Sequence, residues 1–200
     1  MLTLSEVRIP RSGGELEFGA RKGETVVIEV RLIKEQDAEY LLSLELRNME
    51  FFQLYTGKRD EHFYTLDGQR ERIERAIASA AEDTGYYFVI LLNGNIIGII
   101  MLSEVVRWNL QSSWIGYFLD KEQNGKGYMT EAVRQVVAIA FDELEFHRLE
   151  AGVMPHNIGS IKVLLKAGFH KEGIAKQNVK INGKWQDHQT LAIINPRDLM

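Results

Sequence analysis

Cysteine is absent from the 200 residues, and with it go disulfides, thiolate metal sites and a cysteine nucleophile. The absence agrees with a reducing compartment. Proline occurs only three times, and no stretch approaches the roughly 18 consecutive apolar residues that a membrane-spanning helix needs. The opening run Met1 to Pro10 has no long apolar core of the kind that marks a secretory leader, so the expectation is a cytoplasmic protein without a membrane partner. An excess of positive charge is missing too. Lys plus Arg is 24 against Asp plus Glu at 28, a net charge of −4, which disfavours wholesale nucleic-acid binding. His147, His156, His170 and His188 lack metal-ligand spacing, and no metal is expected. What is present is material for one substantial core, since 45% of the residues are hydrophobic. One domain spanning 1–200 is expected, with no repeat and no low-complexity tract, and both monomer and homodimer stay open.

The texture of the chain changes near residue 25. Before it, short alternating pieces surround Ser12-Gly13-Gly14, and a second turn signal stands at Arg21-Lys22-Gly23, so residues 1–24 read as an added hairpin or arm. Thr25 to Ile33 alternates as a strand does, and Glu35 to Glu50 carries Ala38, Leu41, Leu42 and Leu46 at helical spacing. Asn48 to Thr65 is irregular and aromatic. A further helix runs from Leu66 to Asp83, with Ile73, Ala76, Ile77 and Ala80 on one face. From Gly85 strands take over. Tyr86 to Leu92 and Asn95 to Val106 flank Asn93-Gly94, a pair that accepts the positive φ of a tight antiparallel hairpin, and Ser112 to Leu119 follows as a third strand. A helix from Gly127 to Leu144 would bury Val133, Val136, Val137, Ala140 and Phe141. After the strand Arg148 to Met154, Asn157 can cap a helix with Ile161, Leu164 and Leu165 inward, and Gly168 stands where a left-handed C-terminal cap is wanted. A last hairpin, Phe169 to Ile181 and Lys184 to Ile194, turns at Asn182-Gly183. The fold class is α+β with a mixed sheet.

Between the third strand and its helix lies Asp-Lys-Glu-Gln-Asn-Gly-Lys-Gly-Tyr-Met, residues 120–129. Gly125 and Gly127 allow positive φ and close approach of backbone to a ligand, while the first helical turn leaves N–H groups without partners at the positive end of the dipole. A pyrophosphate fits such a cradle. Two glycines alone also describe a plain strand-to-helix turn, and the strand–loop–helix context is what favours the anion.

Other blocks carry a family resemblance. Ile97-Gly98 leads to Leu102-Ser103-Glu104-Val105-Val106-Arg107, then come Ile115-Gly116-Tyr117 and His147-Arg148-Leu149-Glu150, and then Met154-Pro155-His156-Asn157. The tail from Gly173 to His188 holds Asn182-Gly183-Lys184-Trp185 and Asp187-His188. Together with the glycine loop, the chain from Asn93 onward resembles the GNAT superfamily of acetyl-CoA-dependent N-acetyltransferases, and within it the ribosomal-protein N-terminal alanine acetyltransferases. The resemblance implies a mixed, mostly antiparallel central sheet with helices on both faces and a splayed pair of strands at the cofactor site. Acetyl-CoA is then the co-substrate, and the acceptor is an amine, first of all a protein N-terminus. A polyamine, an amino sugar or a drug amine, and a non-catalytic CoA sensor, are the alternatives.

The resemblance also implies positions for the site. The common pattern begins with Gln or Arg three residues before the first glycine, where this chain has Glu122. Backbone N–H groups of Asn124, Gly125, Lys126, Gly127, Tyr128 and Met129 must then do the holding. If the strand ending at Leu119 splays from its neighbour, the free backbone groups of Tyr117, Phe118 and Leu119 can pair with the pantetheine arm, with Asn157 and Ser160 close to the sulfur. Direct attack by an amine suits a chain without cysteine. An α-amine near pKa 7.8 is roughly one-seventh neutral at pH 7, against about one part in 2,500 for a lysine. Glu104 is the candidate base, and also reads as a solvated strand residue. Many relatives place a tyrosine seven residues after the helix-start asparagine; here that residue is Leu164, and Ser160 is the substitute donor to the leaving thiolate, or else an ordinary first-turn serine. Trp108, Trp114, Tyr117 and Trp185 read either as core or as an acceptor channel, with Phe51, Phe52 and Tyr55 able to close over it.

Overall fold

The computed structural model describes residues 15–16 and 26–199. The added hairpin expected over residues 1–24 lies outside the described residues except for β1 (Glu15–Leu16), which pairs antiparallel with β2 (Val26–Leu32). Two short helices follow, α1 (Ala38–Arg47) and α2 (Met49–Gln53), then α3 (Leu66–Ala81). The strands β3 (Tyr86–Leu92), β4 (Asn95–Val106) and β5 (Ser112–Leu119) run antiparallel in succession. Helix α4 (Tyr128–Asp142) crosses to β6 (Arg148–Val153), α5 (Ile158–Lys166) follows, and the chain closes on β7 (His170–Ile181) and β8 (Lys184–Ile194). Among the described residues the sheet has eight strands in the order β1-β2-β3-β4-β5-β6-β8-β7, with β5–β6 the parallel pair.

Turn chemistry sets the hairpins. Asn93-Gly94 holds φ at 49° and 84°, and Asn182-Gly183 at 50° and 80°, the left-handed pairs whose twist matches that of the flanking strands. Alternation then assigns the faces. Phe88, Ile90, Ile100, Leu102, Ile115 and Leu149 pack with α4 and α5, whereas Val89, Leu91, Ile96 and Ile99 pack with α1, α2 and α3. Helices therefore cover both faces of the sheet, and α4 buries the expected stripe Val133, Val136, Val137, Ala140 and Phe141.

Three local expectations are corrected. The helix expected through Glu50 breaks at Asn48, whose Nδ2 donates to the Leu44 carbonyl (3.0 Å) and so competes with the helical ladder; the stretch after it holds α2 and a 3-10 turn at His62–Tyr64. Leu46 is exposed, because the inward position on that turn belongs to Glu45, buried between Arg72 (2.7 Å) and Arg59 (3.9 Å). Leu165 is exposed as well, while Leu164 is fully buried in the core.

Candidate active site

The glycine loop is tied down before it begins. The Asp120 N–H donates to the Ile97 carbonyl (2.8 Å), and its buried carboxylate accepts from Arg47 Nε (2.6 Å) and from the Glu122 N–H (3.2 Å). Asn48 Oδ1 accepts from the Lys121 N–H at 2.9 Å, so the residue that ends α1 also fixes the 3-10 turn Lys121–Gln123. Beyond that turn Gly125 and Gly127 hold φ at 78° and 86°. Gly127 is the N-cap of α4 and offers no side chain to cap it. Among the described residues, no acceptor meets the backbone N–H groups of Gly125 through Thr130. A run of unpaired N–H groups at a helix start, with open space around Gly125, is chemically suited to an anion.

Next to it the sheet parts. β5 and β6 stay paired over Ser112–Arg148, Ser113–Leu149 and Trp114–Glu150, after which β5 keeps only its β4 partner. The splay leaves the β6-facing backbone edge of Tyr117, Phe118 and Leu119 without a strand. A cavity of about 670 Å³ lies against that edge. Its wall brings together Tyr117, Phe118, Leu119, Asn124, Gly125, Gly127, Tyr128, Met129, Asn157 and Ser160. Lys126 is not in the wall; it is exposed, and its Nζ donates to Gln123 Oε1 at 3.0 Å.

Asn157 caps α5 by accepting from the Ser160 N–H (3.2 Å), which orients the first turn of that helix. Ser160 Oγ lies 2.8 Å from the Tyr117 hydroxyl, which also donates to the Ser160 carbonyl at 3.1 Å. Burial pushes the Tyr117 phenol above its ordinary value, with the Ser160 hydrogen bond acting in the opposite direction. Glu104 is exposed, at a bulge in β4 where the register with β5 slips between Ser103 and Val106, and its φ is +53°. Leu102 and Val105, on either side of it, both pack on the α4 side. Glu104 does not belong to the cavity wall.

Phe51, Phe52 and Tyr55 line the same cavity from the α2 side, with Phe52 packed on Phe118 at 5.4 Å between ring centroids. The tip of the β7–β8 hairpin is clasped to this segment: Gln53 Nε2 donates to Asn182 Oδ1 (2.7 Å), and Asn182 Nδ2 donates to the Gln53 carbonyl (2.9 Å). Trp114 leans over Gly152, whereas Trp108 and Trp185 project into solvent, 91% and 60% exposed. The basic side chains His156, Lys162 and Lys166 were missed by the sequence reading, although a lysine pair four apart just after a capping asparagine is a legible signal. A second cavity of about 510 Å³, between the β2–α1 connection and α3, contains none of the candidate site residues. Among the described residues, no group of three or more His, Asp or Glu side chains could hold a metal ion, and no helix is long and apolar enough to cross a membrane.

Residues 28–170 match the family model described as acetyltransferase (GNAT) domain. The chain belongs to the GNAT acetyltransferases. It is 52% identical over 179 residues to the probable N-acetyltransferase YjcK of Bacillus subtilis (strain 168), covering 88% of this chain and 98% of that protein. The crystal structure of ribosomal-protein-S5-alanine acetyltransferase from Vibrio fischeri is 34% identical, with a TM-score of 0.81 over 84% of this chain and 93% of the other. Mycobacterium smegmatis RimJ in complex with CoA-disulfide is 27% identical, with a TM-score of 0.82 over 86% of this chain and 84% of that one. This GNAT protein is an acetyl-CoA-dependent N-acetyltransferase. Its own residues suit that co-substrate. The loop offers unpaired N–H groups and positive φ of the kind that suits phosphates, the open β5 edge offers unpaired peptide groups of the kind that suits an amide-bearing arm, and Lys162 and Lys166 add positive charge to the wall.

Proposed function

We propose that this N-acetyltransferase acetylates the N-terminal α-amine of a protein, a ribosomal protein first of all. The observation that carries the proposal is the 34% identity, at a TM-score of 0.81, to an enzyme described as a ribosomal-protein-S5-alanine acetyltransferase. Acid–base chemistry points the same way, since an α-amine is already partly neutral near pH 7 and asks little of a base. In this reading the pyrophosphate lies on the N–H groups from Gly125 to Met129, including that of Lys126, whereas the expected Asn124 N–H is already taken by the Lys121 carbonyl (3.2 Å), and the pantetheine pairs with Tyr117 to Leu119. Asn157 holds the first turn of α5, and Ser160 donates to the departing sulfur. Glu104, at the bulge in β4, takes the proton released by the attacking amine, directly or through water. The acceptor enters past Phe51, Phe52 and Tyr55.

The test is transfer of labelled acetyl from acetyl-CoA to a panel of peptides carrying ribosomal-protein N-termini, beside polyamines and amino sugars. Label on the α-amine of one peptide is expected. Label confined to a small amine would replace this acceptor with another, and label on lysine side chains alone would remove the α-amine argument. With the accepted peptide, Glu104→Gln and Ser160→Ala should each lower kcat about a hundredfold or more, the usual scale for a single proton-handling or charge-stabilising group, while CoA binding stays near wild type. Wild-type turnover in either variant would withdraw that residue from the mechanism.

A further inference from the structure

We propose that Tyr117 is a positioning residue for the leaving sulfur: its hydroxyl donates to Ser160 Oγ and thereby frees the serine's only proton for the thiolate. The proposal rests on the reading of Ser160 as the sulfur's donor. It adds the group that makes this serine available.

The two hydroxyls stand 2.8 Å apart, and the Tyr117 hydroxyl also reaches the Ser160 carbonyl at 3.1 Å. Each hydroxyl has one proton to give. Two arrangements satisfy the pair. In one, Tyr117 donates to the carbonyl and Ser160 donates to Tyr117, so nothing is left for a ligand. In the other, Tyr117 turns its proton to Ser160 Oγ, and the serine's proton points into the cavity that both side chains line. Rotating two O–H bonds converts one into the other without moving the backbone. Charge building on sulfur selects the second arrangement, and the Tyr117 hydrogen bond polarises Ser160 as a better donor.

The chemistry balances without proton transfer through the pair. The amine nitrogen forms a C–N bond with the acetyl carbon, the C–S bond breaks, and its electron pair stays on sulfur. The ammonium proton leaves to a base or to water, and the thiolate receives a hydrogen bond from Ser160. Burial keeps the phenol protonated across the neutral range, so Tyr117 always has a proton to offer. The position that supplies a tyrosine in many relatives is of no help here, because Leu164 is buried in the core.

The test needs no acceptor. CoA isotopically labelled at the carbon that bears sulfur is bound to the whole protein, and the thiol is titrated by NMR. Ser160→Ala should raise the bound thiol's pKa by about one unit, the scale of one lost charge-assisted hydrogen bond. Tyr117→Phe keeps the ring and should raise it by roughly half as much, the double variant should match Ser160→Ala, and Ser160→Thr should titrate near wild type. A wild-type titration in Tyr117→Phe would reduce Tyr117 to packing and overturn the proposal. So would a double variant that sums the two shifts, because Tyr117 would then act on sulfur directly. Failure of the wild-type protein to bind CoA would instead take down the co-substrate site itself, and this proposal with it.

Discussion

Replacing Gly125 with alanine separates the strain of the glycine loop from its use. Gly125 holds φ at +78°, and a methyl group built there meets nothing within 4 Å. The protein itself does not clash with the new atom, so the penalty is intrinsic to the left-handed backbone, about 1–2 kcal/mol. Against it, the unfolded chain loses glycine's freedom, which returns about 0.4–1 kcal/mol. The net loss is then about 0–1.6 kcal/mol, a fall in Tm of roughly 0–6 °C for a chain of this length. Ligand binding should suffer more. At a concentration of about 100 Kd, CoA stabilises the wild type by about 2.7 kcal/mol, or roughly 5–10 °C. In the variant, either the methyl group takes space that a phosphate needs, or the backbone relaxes and turns its N–H groups away. A tenfold weaker Kd, about 1.4 kcal/mol, would halve the CoA-induced shift at the same concentration. Thermal unfolding with and without CoA reads both effects in one experiment. A variant that loses stability alone and keeps the full CoA-induced shift would refute the anion cradle.

Asp120→Ala removes the carboxylate that joins Arg47 to the Glu122 N–H, and should lower stability by about 1–2 kcal/mol and weaken CoA binding; denaturant unfolding and a CoA titration check both. Glu143 carries two buried carboxylate oxygens without a partner among the described residues, and burial first, then neighbouring Asp142, raises its pKa. A raised folded-state value favours the protonated form, so this group stabilises the fold below its unfolded pKa, and that contribution is lost as pH rises through the folded one. Glu143→Gln should therefore raise Tm at about pH 7, with the gain vanishing near pH 4, and thermal melts across pH show whether it does. Asp83 has the opposite sign: hydrogen bonding from Arg107, helped by Tyr86, lowers its pKa against the pull of burial. Its contribution is present above the unfolded value and lost on acidification, so Asp83→Asn should flatten the acid limb of the stability profile.

The bounds of β3, β4 and β5 were legible in the sequence because they rest on local rules, alternation along each strand and an Asn-Gly turn between the first two. The start of α4 was legible for the same reason, since a glycine loop and an apolar stripe are local. Contacts between distant residues were not. Asn48 looked like one more helical position, and what stops the helix there is coupled to a bond 73 residues away, to the Lys121 N–H. Glu45 belongs to the polar pattern of an exposed helix face, yet Arg59 and Arg72 draw it inward and turn Leu46 out. The pairing of Tyr117 with Ser160 spans 43 residues and two elements, which no spacing rule reaches. Most of the cavity wall could be named beforehand because loop, strand edge and helix cap each have a signature; how two hydroxyls face one another across it does not.

The seam between β5 and β6 has a mechanical meaning as well. Three paired positions join the two halves of the sheet before it parts, and the connection between those strands runs through α4. A sheet held by so short a zipper is stiff within each half and compliant between them. In the proposed reading, a thioester arm bonded along the open β5 edge would act as an inserted rung and carry load across the gap. Saturation with acetyl-CoA should then slow amide exchange in Ile115 to Leu119 more than elsewhere in the sheet, making the protein's rigidity a readout of how much acetyl donor surrounds it.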